Sequence, residues 1–156
     1  MRIQDIMNHR VVITLLCACL VACADPGNTV NKAYQVADNF FKAVKSKDFE
    51  KAASYFENTP NDPRGKWLEE LRLNNSKLGD LQSYKLVDKE IDTVYSGTRY
   101  IFVYQTKYSK YRARETLILF DGVSTFGGGK PNSMAIQGMV VKSPGLHDKA
   151  DQGFPG

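Results

Sequence analysis

The fold is decided by one stretch of the chain, Arg99-Tyr100-Ile101-Phe102-Val103-Tyr104-Gln105-Thr106-Lys107. Large aromatic residues occupy every second position, and branched apolar residues stand between them. Because successive side chains of a strand point to opposite faces, both faces of this strand present apolar bulk. We therefore predict that this stretch is the central strand of a sheet.

Three further strands are expected around this one. Residues 81–91 are predicted to form the first, with an interruption near Asp88, and Ser96-Gly97 is predicted to turn into the central strand. The pair Ser109-Lys110 predicts a tight reversal into a partner strand over residues 111–120. A Gly-rich loop over residues 121–133 then leads to a last strand over residues 134–142.

The segment before the strands has helical periodicity instead. Over residues 30–44 the apolar positions follow one helical face: Val30, Ala33, Tyr34, Ala37, Phe40, Phe41 and Val44. The pattern breaks at residues 45–48 and resumes at Phe49, which predicts two helices with Asp48 as the N-cap of the second. The pair Asp62-Pro63 predicts the start of a third helix, which Gly79 ends in a left-handed conformation.

Helices followed by strands predict an α+β fold, with three helices packed on one face of a mostly antiparallel sheet of about four strands. Residues 30–142 have the length of one domain, and residues 143–156 are predicted to form a flexible tail. The formal net charge of +4 at pH 7 is too small to indicate a nucleic-acid partner.

Two segments resemble the helical opening of nuclear transport factor 2-like and cystatin-like domains. They are Val36-Ala37-Asp38-Asn39-Phe40-Phe41-Lys42-Ala43 and Lys47-Asp48-Phe49-Glu50-Lys51-Ala52-Ala53-Ser54-Tyr55-Phe56. In those domains a long helix leads into a second one, and a curved sheet closes a cone. The resemblance implies a cone-like domain, and because its motifs are packing signals it implies no particular activity.

The segment Leu20-Val21-Ala22-Cys23 resembles the lipobox of bacterial lipoproteins. It follows an apolar run that is shorter than the ~20 residues of a membrane-spanning helix and that begins after Arg10, as in a signal peptide. The resemblance implies that residues 1–22 are removed between Ala22 and Cys23. Cys23 would then receive a diacylglycerol and an N-acyl chain, with residues 23–29 as a linker.

The residue after the lipidated cysteine influences sorting of bacterial lipoproteins, and an aspartate there favours the inner membrane. This chain has Ala24 at that position. The resemblance therefore implies delivery to the outer membrane, facing the periplasm. All three cysteines, Cys17, Cys19 and Cys23, lie in or at the end of the signal, so no disulfide is expected in the domain.

Few residues indicate chemistry, and no catalytic residue, metal or cofactor is predicted. His147 is the single histidine after the signal and has no partner at metal-ligand spacing, while the glycines of residues 127–129 lack the rest of a phosphate-binding loop. Isomerases of similar fold use aspartate with tyrosine, which makes Asp38 and Asp121 candidate general bases. Their positions on a helix and a turn favour solvated carboxylates.

The strongest candidate for binding is a basic, aromatic-rich patch around the hairpin of the central strand. Its members are Tyr104, Lys107, Tyr108, Lys110, Tyr111, Arg112 and Arg114. Tyrosine and arginine are enriched at binding surfaces, and Lys107 and Arg112 are expected to point the same way. The competing interpretation is a strand edge protected by charge against unwanted pairing.

These observations favour a membrane-anchored, non-enzymatic binding or accessory module for another envelope protein. An inhibitor or immunity protein is one form of this hypothesis. The alternative is a small-ligand carrier or an isomerase-like enzyme that uses the cone cavity.

Overall fold

The computed structural model describes residues 26–59, 63–122 and 134–146. Three helices come first, and they are α1 (Pro26–Lys45), α2 (Phe49–Ala53) and α3 (Arg64–Leu78). Four strands follow, and they are β1 (Leu81–Val94), β2 (Gly97–Tyr108), β3 (Arg112–Gly122) and β4 (Ala135–Lys142). The predicted signal segment and lipobox, most of the Gly-rich loop and His147 lie outside the described residues.

The strands form one sheet in the order β1-β2-β3-β4, and each strand is antiparallel to its neighbours. Short turns join β1 to β2, at Tyr95-Ser96, and β2 to β3, at residues 109–111, and such turns favour antiparallel pairing of the strands they connect. The α+β prediction is confirmed, and so is the interior position of the strand around Phe102.

The interruption predicted near Asp88 is a β-bulge. The pairing of β1 with β2 shifts between Leu86 and Asp88, so Val87 has no partner on β2. Two further shifts occur, one between Leu81 and Ser83 in the pairing of β1 with β2 and one between Ile118 and Leu119 in the pairing of β3 with β4. Bulges increase the local twist of a sheet and bend its strands.

Aromatic rings fill the space between the helices and the sheet. Phe41 of α1 is fully buried, and its ring lies 4.5 Å from the ring of Tyr104 and 4.8 Å from that of Tyr84, measured between centroids. Phe56, which follows α2, stacks on Trp67 of α3 with 4.2 Å between centroids. These contacts bury one face of the sheet and leave the other to solvent.

Two predicted helix boundaries can be compared with the structure. Asp48 caps α2 as predicted, because its carboxylate accepts a hydrogen bond of 3.1 Å from the backbone N–H of Lys51. Helix α1 begins at Pro26, before the predicted start at Val30. The predicted linker of residues 23–29 therefore overlaps the first turn of α1.

Gly79 ends α3 with φ of 85°, as the sequence predicts. A Cβ at this position would collide with the hydroxyl of Ser109 and lie 3.3 Å from the backbone nitrogen of Lys110. That nitrogen donates a hydrogen bond of 3.1 Å to the carbonyl of Leu78. The turn between β2 and β3 thus docks on the C-terminal end of α3, and the docking requires glycine there.

The predicted flexible tail needs a correction over its first residues. Ser143 is buried, and its hydroxyl donates a hydrogen bond of 2.8 Å to the carbonyl of Arg112. Leu146 packs against the core. Residues 143–146 are therefore attached to β3 by this hydrogen bond and to the core by Leu146.

Replacing Gly79 with alanine should lower the free energy of unfolding by about 1–3 kcal/mol. Alanine is strained at the positive φ of this position, and its Cβ would collide with the docked turn. Gly65→Ala is the matched control, since nothing lies within 4 Å of a Cβ at Gly65 in α3. That change should raise the free energy of unfolding by up to about 1 kcal/mol. Urea unfolding of both variants measures the difference, and equal effects would contradict the docking role of Gly79.

Candidate functional site

The solvent face of the sheet is built from alternate residues of every strand. Directly paired residues point to the same face, so the register groups them into rows that cross the strands. The first row holds Ser83, Lys107 and Arg112, and the second holds Lys85, Gln105, Arg114 and Lys142. We call these seven residues the basic end, since five are cationic and none is acidic.

The positive charge of the basic end is not compensated. All five cationic side chains are exposed, and none forms an ion pair with another of the described residues. Two pairs of cations are directly opposed, Lys107 with Arg112 and Arg114 with Lys142. Like charges in this arrangement repel and destabilise a sheet. The cations of the basic end therefore lower the stability of the sheet that carries them.

An open cavity of about 260 Å³ lies within this surface, at the junction of β1 and β2. Its lining consists of Ser83, Tyr84, Lys85, Gln105, Thr106, Lys107 and Arg112. Ammonium, guanidinium, hydroxyl and amide groups all donate hydrogen bonds, and the first two are positively charged. The cavity is therefore suited to an anionic oxygen ligand of side-chain size.

The rest of the solvent face is different in character. Its middle rows contain the half-buried Val103 and Ile118 on the interior strands. The carboxylates of this face are on β1, where Asp92 lies 4.0 Å from Arg99 of β2. The face is thus basic at the end beside the β2–β3 turn, apolar in the middle and acidic along part of β1.

Three residues of the predicted patch come together at the basic end. They are Lys107, Arg112 and Arg114, and the pairing of Lys107 with Arg112 agrees with the expectation that both point the same way. Tyr111 is half exposed, and its ring lies against Gly145. These four residues of the predicted patch are exposed, as a binding surface requires.

The other members of the patch lie elsewhere, which corrects the sequence prediction. Tyr104 and Tyr108 point to the helical side and are each 5% exposed, so they belong to the core. The ammonium of Lys110 donates a hydrogen bond of 3.0 Å to the carbonyl of Ser76, near the C-terminal end of α3. Lys110 therefore stabilises a helix end, where cations are favourable.

The sequence analysis missed two cations of the basic end, Lys85 and Lys142. They join the other three only through the register of β1 and β4, and both strands contain a shift in pairing. A local pattern gives the alternation within one strand but not the residue opposite it. No sequence signal places these two residues in the same row as Arg114.

A buried carboxylate lies beneath the sheet, behind the basic end. Glu115 of β3 points to the helical side and is 2% exposed, and it accepts a hydrogen bond of 2.7 Å from the hydroxyl of Tyr108. Burial raises the pKa of Glu115, and the hydrogen bonds from Tyr108 and Thr106 only partly oppose this. Burial also raises the pKa of Tyr108, and the charge of Glu115 raises it further.

The candidate general bases do not form one site. The carboxylate of Asp38 accepts 2.7 Å contacts from the Lys42 ammonium and the Tyr84 hydroxyl. These bonds, that of Lys42 first, lower the pKa of Asp38, which makes it a weaker base. Burial and then the bond to Asp38 raise the pKa of Tyr84 to about 12. Asp121 pairs with Thr98, roughly 26 Å along β2 from the partner of Tyr84.

Within residues 26–59, 63–122 and 134–146, no three His, Cys, Asp or Glu side chains are grouped so that they could hold a metal ion. Over the same residues, no helix is both long and apolar enough to cross a membrane.

Comparison with known proteins adds a likeness of fold. No protein-family model matches the sequence, and no curated protein matches it. Among solved structures, a protein from Catenulispora acidiphila determined at 2.5 Å is similar, with a TM-score of 0.50 and 15% sequence identity. The match covers 75% of this chain and 92% of that protein. At this identity the similarity concerns the fold alone.

Replacing Lys107 with glutamate should stabilise the fold, because the change converts an opposed pair of cations into an attractive pair with Arg112. The expected gain is about 0.2–1 kcal/mol in the free energy of unfolding, and it should shrink as salt screens the charges. Lys47→Glu is the control, since Lys47 pairs with Asp80 at 2.8 Å and its reversal should destabilise. Urea unfolding at low and high salt measures both, and a loss of stability for Lys107→Glu would show that its charge is not repelled.

The effect of Glu115→Gln should depend on pH. The pKa of Glu115 in the folded state lies above its ordinary value of 4.5, so the folded state loses stability as the pH rises from about 4.5 through that raised pKa. Glutamine is neutral at every pH and avoids this loss. The variant should therefore be more stable than the native protein at pH 7–8, with a difference that narrows as the pH falls toward 4.5. Thermal unfolding across this range would contradict the assignment if the difference were constant.

Proposed function

We propose that this chain is a lipid-anchored envelope lipoprotein whose domain binds an acidic envelope protein through the basic end, without catalysis. The observation that supports binding is the pair of adjacent rows with five cations and no carboxylate. The lipobox-like Leu20-Val21-Ala22-Cys23 supports the anchor and the outer-membrane location. The order of helices and antiparallel strands supports a place among nuclear transport factor 2-like or cystatin-like domains.

Edge protection accounts for at most two of the five cations, Lys85 on β1 and Lys142 on β4, which are the edge strands of the described sheet. Cations that prevent unwanted pairing are needed on edge strands, which expose free backbone groups. Lys107, Arg112 and Arg114 are on β2 and β3, the two interior strands of the described sheet. Both edges of these strands are already paired, so their cations protect no edge. A binding role explains why the repulsion between them persists.

The position of the basic end favours a protein partner over the membrane itself. Near the start of α1, Tyr34 stacks on Phe102 of β2, whereas just after α1 Lys47 pairs with Asp80 beside the β2–β3 turn. Helix α1 therefore runs along the sheet toward the basic end, over about 30 Å. A lipid on Cys23 would hold the other end at the bilayer. Headgroup charge is screened within roughly 8 Å at physiological salt, so the basic end would face the periplasm.

The surface beside the basic end suits a protein contact. Val103, Ile118 and the exposed Val140 provide apolar area next to the cations. Protein interfaces commonly combine an apolar centre with charged groups at the rim, and complementary charge accelerates association. An inhibitor or immunity protein would use such a surface to cover an acidic target.

The proposal predicts a cross-link that depends on charge. A photo-crosslinking residue at Gln105 of the full-length protein, expressed in its own cells, should capture one acidic protein, whereas the same residue at Lys51 of α2 should not. The triple variant Lys107→Glu, Arg112→Glu, Arg114→Glu should abolish the capture. The matched triple reversal on the helices, Lys45→Glu, Lys51→Glu, Lys77→Glu, should leave it intact.

The mass of the Cys23→Ser variant tests the anchor. Cys23→Ser should remove the lipid mass from the protein, and because Cys23 is also part of the cleavage site, residues 1–22 should remain on the chain. Capture at Gln105 that survives the triple reversal would contradict binding through the basic end. A lipid mass that survives Cys23→Ser would contradict the lipid anchor.

A further inference from the structure

We propose that the basic end binds an extended acidic segment, with carboxylates at alternate residues, and that the cavity between β1 and β2 receives one of them. This inference rests on the proposed function, since it names the chemistry of the partner at the same surface. It goes further by specifying the conformation and the charge spacing of the segment that is bound.

The spacing of the two rows is the first argument. Lys107 and Arg112 are in one row, while Lys85 and Arg114 are in the next, two residues along the strands. Residues two apart on a strand are about 6.7 Å apart. Alternate side chains of any extended peptide have the same repeat and point the same way. Carboxylates at positions i and i+2 would therefore meet both rows at once.

The size of the cavity is the second argument. Its volume of about 260 Å³ can hold a carboxylate side chain. This volume holds one such side chain, so the second carboxylate of the segment would contact the cations of the second row that lie outside the cavity, Arg114 and Lys142.

The donors around the cavity are the third argument. Lys107 and Arg112 line it from the first row and Lys85 from the second, and Ser83 and Gln105 add a hydroxyl and an amide to the lining. A carboxylate accepts several hydrogen bonds, and charged donors make these bonds strong. A single phosphate would occupy the cavity but would leave Arg114 and Lys142 outside it without an anion, so phosphate is expected to bind more weakly than two linked carboxylates.

Two isomeric peptides separate spacing from charge. The peptide Ser-Glu-Ser-Glu-Ser places its carboxylates on one side when extended, whereas Ser-Glu-Glu-Ser-Ser places them on opposite sides with the same net charge. Titration of the full-length protein, followed by NMR shifts of the amides of Lys85, Gln105 and Lys107, should show at least about threefold tighter binding of the alternating isomer. Inorganic phosphate serves as the single-anion probe.

Variants locate the binding. The double variant Lys107→Glu, Arg112→Glu should weaken binding of the alternating peptide by about tenfold or more, and the double control Lys45→Glu, Lys51→Glu should not change it. Binding should also weaken as the salt concentration rises. Equal affinity for the two isomers, or phosphate binding as tight as the alternating peptide, would overturn the inference.

The outcomes keep this inference separate from the proposed function. If the two isomers bind equally but cross-linking at Gln105 still depends on charge, the proposed function stands. The inference that the partner binds through an extended segment is then wrong. If the alternating peptide is preferred but no protein is captured in cells, the inference about the ligand of the basic end stands. The proposal that this ligand belongs to an envelope protein is then wrong.

Discussion

The structure depends on the packing of Phe41 against Tyr84 and Tyr104, which fixes the face of the sheet that the helices cover. Because side chains alternate along a strand, this one choice assigns every residue of β2 to the core or to solvent. A slip of one residue would exchange the two sets and put Lys107 inside. The basic end is therefore a consequence of how the aromatic residues pack.

The same alternation connects the core to the candidate site. Glu115 and Arg114 are neighbours on β3, yet one is buried beside Tyr108 and the other is exposed on the basic end. The turn that follows Tyr108 is held on α3 through Gly79 and Lys110. The cations at this end of the domain are therefore on strands whose opposite face is packed in the core and whose connecting turn is docked on α3.

Much of the fold was predictable because it follows from local patterns. The alternation in residues 99–107 identified the central strand, Asp48 identified a helix start, and Gly79 identified a helix end. Each of these depends on the conformation of a few adjacent residues. The bulge near Asp88 was also expected, since a charged residue interrupts the pattern there.

The site was predictable only in part, for a physical reason. Lys107 and Arg112 flank a short turn, so their pairing follows from the sequence. Lys85 and Lys142 reach the same surface through long-range register, which three shifts in pairing alter. Tyr104 and Tyr108 were placed on the surface because they adjoin the cations in sequence, although alternation puts them on the opposite face.

The central claim is that the basic end holds an acidic protein partner. Native mass spectrometry of the full-length protein, gently extracted from its own membranes, tests it most directly. We expect a lipid mass on Cys23 and a protein-sized adduct, and the triple reversal of Lys107, Arg112 and Arg114 should remove the adduct. An adduct that persists in that variant, or a small-molecule adduct in its place, would contradict the claim.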